Sequence, residues 1–317
     1  MKPWMWLLAV LLGLAGACEH TPEKPAQPLR FAFIPKALHI PVFRYARMGA
    51  EREAQRIGGI EIVWRGPETT DELRQKEILE SFIAQRVDGI AISCLNGDLL
   101  ADAIDRAVDA GIPVVTWDSD APKSKRGAFY GVNDFEAGKA LGEGLARLIG
   151  GRGKVALITA LGADNLQKRL EGARAALREF PDIEIVEIFD IRDDAVRVAE
   201  VLATGTQRYP DLAGWLSVGG WPVFLRNALD PVDTSRTKVV AFDTIPPAPD
   251  LVRAGKVHLL VGQKYFGWGA ESVRLLYRLR RGESIENPMQ YSGIDLVTAE
   301  NLDRYLEQWQ KWEAGEP

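Results

Sequence analysis

The chain repeats its own pattern, and few folds accommodate that. The segment IEIV occurs at residues 60–63 and again at 183–186. Before each copy stands a helix-like stretch, RMGAEREAQR and RLEGARAALREF, and before each of those an apolar run, LRFAFIPK and GKVALITA. Downstream, VDGIAIS (87–93) corresponds to LAGWLSV (212–218), and VVTWD (114–118) to VVAFD (239–243). The order is the same in both copies, and the offset is 123 residues early and 125 residues later. A fixed internal period marks a duplicated structural unit, and 317 residues leave room for two units that each bury a core.

Each copy reads strand, helix, strand, helix, strand, helix, strand. The strand candidates are short and apolar on both faces, as parallel strands covered by helices must be. The helix candidates carry apolar side chains at helical spacing: Leu73, Ile78, Leu79 and Phe82 in one, Ile104 and Val108 in the next. Alternating strands and helices imply an α/β fold, here two similar doubly wound parallel-sheet lobes.

VVTWD and VVAFD both end a buried strand on an aromatic residue and then a carboxylate. In open parallel sheets, ligands bind beyond the carboxyl ends of the strands, where loops and helix N-termini gather. Asp118 and Asp243 would then stand on opposite walls of a cleft between the lobes. Each could instead cap the following turn or helix; their matching positions in the two copies favour the cleft. Other strand ends offer Lys36, His39 and Phe43, then Asn165, Gln167 and Arg169, then Arg192, Trp221 and Gln263. Plainer readings exist for most of these. Lys36 could be a solvated loop lysine, Arg169 and Arg192 partners of surface acids, Phe43 and Trp221 ordinary core, and His39 a spectator. Gln263 follows an apolar strand, where glutamine is poorly tolerated without a polar partner.

Carboxylates, amides and guanidinium groups each engage two neighbouring hydroxyls, and their charge-assisted hydrogen bonds are the stronger kind. Aromatic rings cover the C–H face of a sugar. The set therefore suits a polyhydroxylated small molecule. Catalysis finds little support. His20, His39 and His258 lack metal-binding spacing. Nucleophile-elbow, P-loop and dinucleotide motifs are missing, and GGRGK (150–154) precedes a strand, so it reads as a turn. An acid/base pair of Asp118 and Asp243 is the enzymatic alternative, but repeat-related elements on two lobes suit clamping better. No cofactor or metal is expected. A net charge of −5 with both signs interspersed argues against nucleic-acid binding.

The first residues read MKPWMWLLAVLLGLAGAC. The apolar run over 4–17 is too short for a membrane span, which needs roughly twenty residues, and fits a signal-peptide core. Small residues before Cys18 resemble the lipobox of bacterial lipoproteins, with 1–17 removed and Cys18 lipidated. A plain signal peptide and an uncleaved anchor are the alternatives. The stretch that follows is polar and Pro-rich, as a tether over 18–28 requires. Cys94 follows the apolar GIAIS and reads as core packing.

Taken together, the chain resembles the periplasmic sugar-binding proteins of ABC transporters, the ribose-binding-like group whose fold is shared by LacI-type repressor cores. The resemblance runs from about Leu29 to Val297. It is carried by AFIPKALHIPVF, VDGIAIS, AGIPVVTWDSDAP, GVNDFEAGKALGE, the RLEGA helix, VVAFDTIP and VGQ. FIPK with TWDSD is most similar to the branch of rhamnose-binding proteins and the binder of the furanosyl autoinducer. The resemblance implies ligand contacts from Lys36, Asp118, Asn165 or Gln167, Trp221, Asp243 and Gln263, with Phe43 as a stacking ring. Val42 precedes Phe43 where ribose binders have two aromatics, and Ser119 occupies the place of an arginine. Asn165 stands where the autoinducer binder has aspartate, and Gly220 where sugar binders often carry asparagine.

The same resemblance implies a type I periplasmic binding protein with crossings near Asn133, Gln263 and Ser292. Lobe 1 is then 29–133 plus 264–292, and lobe 2 is 134–263 plus 293–317, closing by hinge rotation. The tail becomes a terminal helix that packs Trp309 and Trp312 on a lobe. The function implied is that of an exported, lipid-anchored monomer on the periplasmic or cell-surface face of a bacterial membrane. It would capture a small sugar or sugar-like polyol and pass it to the permease and ATPase of an ABC importer. A sensory receptor that signals a sugar or furanosyl autoinducer to a chemoreceptor or kinase is the alternative.

Overall fold

The computed structural model describes residues 27–316, so the expected signal segment and Cys18 lie outside the described residues. The first copy folds as β1 (Leu29–Ile34), α1 (Phe43–Ile57), β2 (Ile60–Trp64) and α2 (Glu72–Ala84). It continues as β3 (Gly89–Ile92), α3 (Gly97–Asp109), β4 (Val114–Trp117) and β5 (Ala128–Gly131). The second copy begins with α4 (Asp134–Leu148), β6 (Arg152–Thr159), α5 (Asp164–Arg178), β7 (Asp182–Asp190) and α6 (Ala195–Arg208). Next come β8 (Leu212–Ser217), α7 (Trp221–Phe224), β9 (Lys238–Phe242), α8 (Ala248–Arg253) and β10 (Leu259–Gly262). The last elements are α9 (Tyr265–Arg280), β11 (Met289–Tyr291), β12 (Asp295–Val297) and α10 (Leu302–Ala314).

The strands form two six-stranded sheets, β2-β1-β3-β4-β5-β11 and β7-β6-β8-β9-β10-β12. Neighbours run parallel except β12, which is antiparallel to β10. Sheet membership changes after β5, after β10 and after β11, so the chain passes between the sheets three times. Helix α4 packs on β8, β9 and β10, whereas α9 packs on β3, β4 and α1. The inner strands β3 and β4 are wholly buried, as their unbroken apolar sequences require. Ile78, Leu79, Phe82 and Ile104 form a core with Ile90 and Ile92 behind β3. Each such side chain contributes about 1.5–3 kcal/mol through burial.

Leu73 departs from the helical pattern. It is 67% exposed, because Gln75, Ile78, Leu79 and Phe82 form the buried face of α2. Leu73, five residues before Ile78, falls on the opposite side of a helix with about 3.6 residues per turn, next to Glu72, which lines the interlobe cavity. Helix starts account for several polar residues after strands. Asp71, Asn96, Asn133 and Asp194 cap α2, α3, α4 and α6, each accepting a backbone N–H of the first turn. Asp118 and Asp243 cap no helix; α8, the helix after Asp243, starts at Pro247 without a side-chain cap.

Candidate functional site

The carboxyl ends of both sheets open on one cavity of about 270 Å³, near the lower bound of roughly 300–1,000 Å³ for small-molecule pockets. One wall carries Lys36, Phe43, Asp118 and Trp268, and the other Asn165, Arg169, Asp193, Trp221, Asp243 and Gln263.

Asp118 and Asp243 share an unusual backbone. Their φ angles are 60° and 72°, a left-handed region that aspartate tolerates better than most residues. Their N–H groups donate to Tyr130 O (3.1 Å) and Val261 O (2.9 Å), so the kink comes directly off β4 and β9. In each carboxylate one oxygen is anchored. Asp118 Oδ2 accepts from Ser93 Oγ at 2.7 Å and pairs with Lys36 Nζ at 3.1 Å. Asp243 Oδ1 accepts from Gln263 Nε2 and the Tyr265 hydroxyl, both at 3.1 Å. Among the described residues no side-chain donor reaches Asp118 Oδ1 or Asp243 Oδ2. Each aspartate thus keeps an acceptor open beside the cavity. Gly220 leaves space for the second of these: a Cβ there would fall 2.6 Å from Asp243 Oδ2.

The remaining donors are mostly engaged. Lys36 Nζ donates to Asn165 Oδ1 at 2.9 Å, joining the β1–α1 loop to α5 across the cavity. Arg169 lies 4.2 Å from the Phe242 ring centre, and donates to Asp134 Oδ1 at 2.8 Å and Gln263 Oε1 at 3.0 Å. These contacts fix the Gln263 amide, whose oxygen faces the guanidinium and whose nitrogen faces Asp243. Burial pushes the Asp134 carboxyl up to about 6, with Arg169 pulling the other way. Burial also raises Asp243, against Arg169, Gln263 and Tyr265. Trp221 donates its indole N–H to Asp193 Oδ1 at 2.7 Å, which fixes the ring as part of the wall. Burial raises Asp193, opposed by that hydrogen bond. Phe43 meets Trp117 edge-on at 5.3 Å and faces the cavity as well, so it is both core and lining.

Two residues of the expected set lie elsewhere. Gln167 is exposed on α5 and donates to Glu171 at 2.9 Å. Asn165 and Arg169, four apart on that helix, share the inward face, and a residue midway between them must point away. Ser119 is buried but off the lining; its N–H turns back to Trp117 O at 2.6 Å, and its carbonyl accepts from Cys94 N at 3.1 Å. It shapes the turn that aims Asp118. Arg192 reaches the lining from an exposed position on the rim, and His39 is likewise outlying, its ring at 3.1 Å from Glu68 O. Asp193 and Trp268 were not among the expected residues. Asp193 belongs to no repeated pair and stands beside the more conspicuous Arg192. Trp268 sits on a helix entered after a passage between sheets, so no strand-end rule points to it. Among the described residues no cluster of His, Cys, Asp and Glu could hold a metal ion.

Residues 31–284 match the periplasmic binding protein domain family. The chain belongs to that family. Its two parallel-sheet lobes are those of a type I periplasmic binding protein. It is similar to a solute-binding protein of an ABC transporter from Burkholderia graminis, solved in complex with D-arabinose. The two are 30% identical with a TM-score of 0.83, over 88% of this chain and 98% of that one. A sugar-binding protein of a sugar ABC transporter from Bacillus halodurans is 31% identical with a TM-score of 0.77, over 87% and 99%. Among curated relatives, a D-ribose/D-allose-binding protein of Pseudomonas aeruginosa is 24% identical over 91% of this chain and 93% of its own. A xylose/arabinose-binding protein of Sulfolobus acidocaldarius is 21% identical over 77% of this chain, which spans 64% of that longer protein. Within this family fold, the floor of the cleft is built from charged groups bonded to one another, and its open valences are carboxylate oxygens.

Proposed function

We propose that this periplasmic binding protein captures one small sugar between its lobes and delivers it to an ABC importer. The reading is carried by the facing pair Asp118 and Asp243, each anchored through one oxygen and open through the other. The cavity suits a single ring, and Trp221, Phe43 and Trp268 supply apolar walls for its C–H faces. The ligands named for the relatives, D-arabinose, D-ribose, D-allose and xylose, share that size and hydroxyl pattern. The passages between the sheets would serve as the hinge, and the Lys36–Asn165 bond would join the lobes on closure. A micromolar affinity needs only about −8 kcal/mol, within reach of six hydrogen bonds at about 1.5 kcal/mol each. The test is thermal shift followed by calorimetry with D-arabinose, D-ribose, D-xylose, D-allose, D-glucose and L-rhamnose. One or more should stabilise the protein by about 2.7 kcal/mol at a hundredfold excess over Kd. A panel without any saturable binding would remove the reading.

Delivery has its own support at the cleft mouth. Leu38 and Leu161, and likewise Leu73 and Val196, are 123 residues apart, so each pair occupies matching places in the two copies. All four are exposed, at 39%, 62%, 67% and 67%. Two matched apolar tips on each lobe fit a partner with two similar membrane subunits, and only the closed protein holds the tips at the right span. Aspartate at both Leu73 and Val196 should leave sugar affinity within about twofold, since surface changes away from the site are nearly neutral. Uptake reconstituted with the importer should fall at least tenfold; unchanged uptake would exclude this face. Export and anchoring through Cys18 belong to the same proposal: Cys18→Ser should move the protein from the membrane to the soluble periplasmic fraction, and retention in the membrane would exclude the lipid.

A further inference from the structure

Asp243 is held by a chain of hydroxyls that leads out of the cleft. A phenol has one proton, and Tyr265, the first residue of α9, gives its own to Asp243 Oδ1. Its oxygen can then only accept, which it does from the Thr244 N–H at 3.1 Å and from Thr244 Oγ1 at 3.2 Å. The single Thr244 hydroxyl proton is thereby used, so Thr244 Oγ1 accepts from the Tyr305 hydroxyl, 2.6 Å away on α10. Proton counting thus orients the series in one direction, from Tyr305 through Thr244 and Tyr265 to Asp243. All four residues are buried, and the three hydroxyl residues are off the cavity lining. Gly262 makes the arrangement possible: a Cβ there would lie 2.9 Å from Thr244 Oγ1 and 3.3 Å from the Tyr305 hydroxyl.

We infer that Tyr265, Thr244 and Tyr305 are positioning residues for the ligand, forming a one-way relay that orients the Asp243 carboxylate and makes the C-terminal helix part of recognition. The inference rests on the sugar-binding reading of the cleft. A donor on Oδ1 favours the ionised acid against the cost of burial, and two donors on that oxygen stop the carboxylate from rotating, which leaves Oδ2 for the ligand. Chains of hydrogen bonds also polarise one another, so the distant Tyr305 strengthens the last link. Tyr265 leads the helix that packs on the first sheet, whereas Asp243 ends a strand of the second. The relay therefore spans a passage between the lobes, and a hinge movement there would change the hold on Asp243.

The groups facing Asp243 are Arg169 from α5, Gln263 after β10, Tyr265 and, across the cavity, Asp118. Those facing Tyr305 are Thr244, Asp295 of β12, Asp243 and Tyr45 of α1. The experiment is carboxyl NMR titration of the whole protein labelled at aspartate, with Asp243→Asn identifying the signal. Tyr265→Phe should raise the Asp243 midpoint by about one pH unit, the worth of one hydrogen bond to a charged group. Tyr305→Phe should raise it by less, in the same direction. Affinity for the tightest sugar of the panel should fall about tenfold and about threefold respectively at pH 7. The acid limb of the affinity profile should shift to higher pH, because binding by the carboxylate is lost as it protonates. Should Tyr265→Phe fail to fold, Tyr305→Phe and Thr244→Val carry the same comparison. Midpoints equal to the parent's in folded variants overturn the relay, even where a sugar binds. A raised midpoint in a protein that binds none of the sugars supports the relay and retires the sugar reading instead.

Discussion

Asp118→Ala and Asp243→Ala each lose saturable sugar binding, with affinity reduced at least a hundredfold by calorimetry. The size follows from what each carboxylate does. A hydrogen bond to a charged acceptor is worth about 1.5–3 kcal/mol, and about 1.4 kcal/mol is a factor of ten in Kd. Losing two ligand hydroxyls from one carboxylate therefore suffices. Asp118→Ala does further harm, because Lys36 keeps only Asn165 as a partner, and an unpaired buried charge is expensive. Alanine also suits φ values of 60° and 72° poorly, so both variants should lose some stability unrelated to the ligand. Asparagine separates the two effects. It tolerates the left-handed backbone and keeps the shape, so Asp118→Asn and Asp243→Asn should hold the parent's melting temperature more closely while still binding weakly. An alanine variant with the parent's Kd would remove these carboxylates from the site.

The duplicated pattern made the fold legible, because a strand-helix unit repeated at constant offset has only a few ways to bury both of its faces. It also singled out Asp118 and Asp243, which the structure brings to one cavity in the same left-handed conformation. Symmetry, however, reports only what is symmetric. Asp193 has no counterpart in the other copy, and its role depends on the indole of Trp221, 28 residues away. Gln263 stood out as a polar residue after an apolar strand, but its partners Arg169 and Asp243 come from other elements entirely. Leu73 reads as one apolar set with Ile78, Leu79 and Phe82, but a spacing of five residues from Ile78 puts it on the other side of α2 from that buried face. The choice between Asn165 and Gln167 needed the rotation of α5 relative to the cleft, which only packing of α5 against α4 supplies.

That packing gives the second large effect. In each lobe one helix pair meets backbone to backbone through glycines on both helices. On α1 and α9, a Cβ at Gly49 would lie 1.9 Å from Phe266 O, and one at Gly269 would lie 1.8 Å from Ala46 O. On α4 and α5, Gly138 would meet Arg169 O and Gly172 would meet Phe135 O, both at 2.0 Å. Gly49 and Gly172 are 123 residues apart, so the device is itself duplicated. Helix propensity alone favours alanine at these sites by about 0.8–1 kcal/mol. Packing opposes it more strongly: the obstacle is backbone, which cannot swing aside, and the helices would have to separate by more than an ångström. Overpacking of this kind costs about 1–3 kcal/mol and occasionally more, so Gly269→Ala and Gly172→Ala should each be net destabilising by about 2 kcal/mol. The denaturation midpoint should fall with an unchanged m-value, and the melting temperature by roughly 4–8 °C. Binding should weaken with it, since Gly269 adjoins Trp268 and the carbonyl opposite Gly138 is that of Arg169. An alanine variant as stable as the parent would mean that these helices are not in carbonyl contact, and that the cleft residues they carry are held by something else.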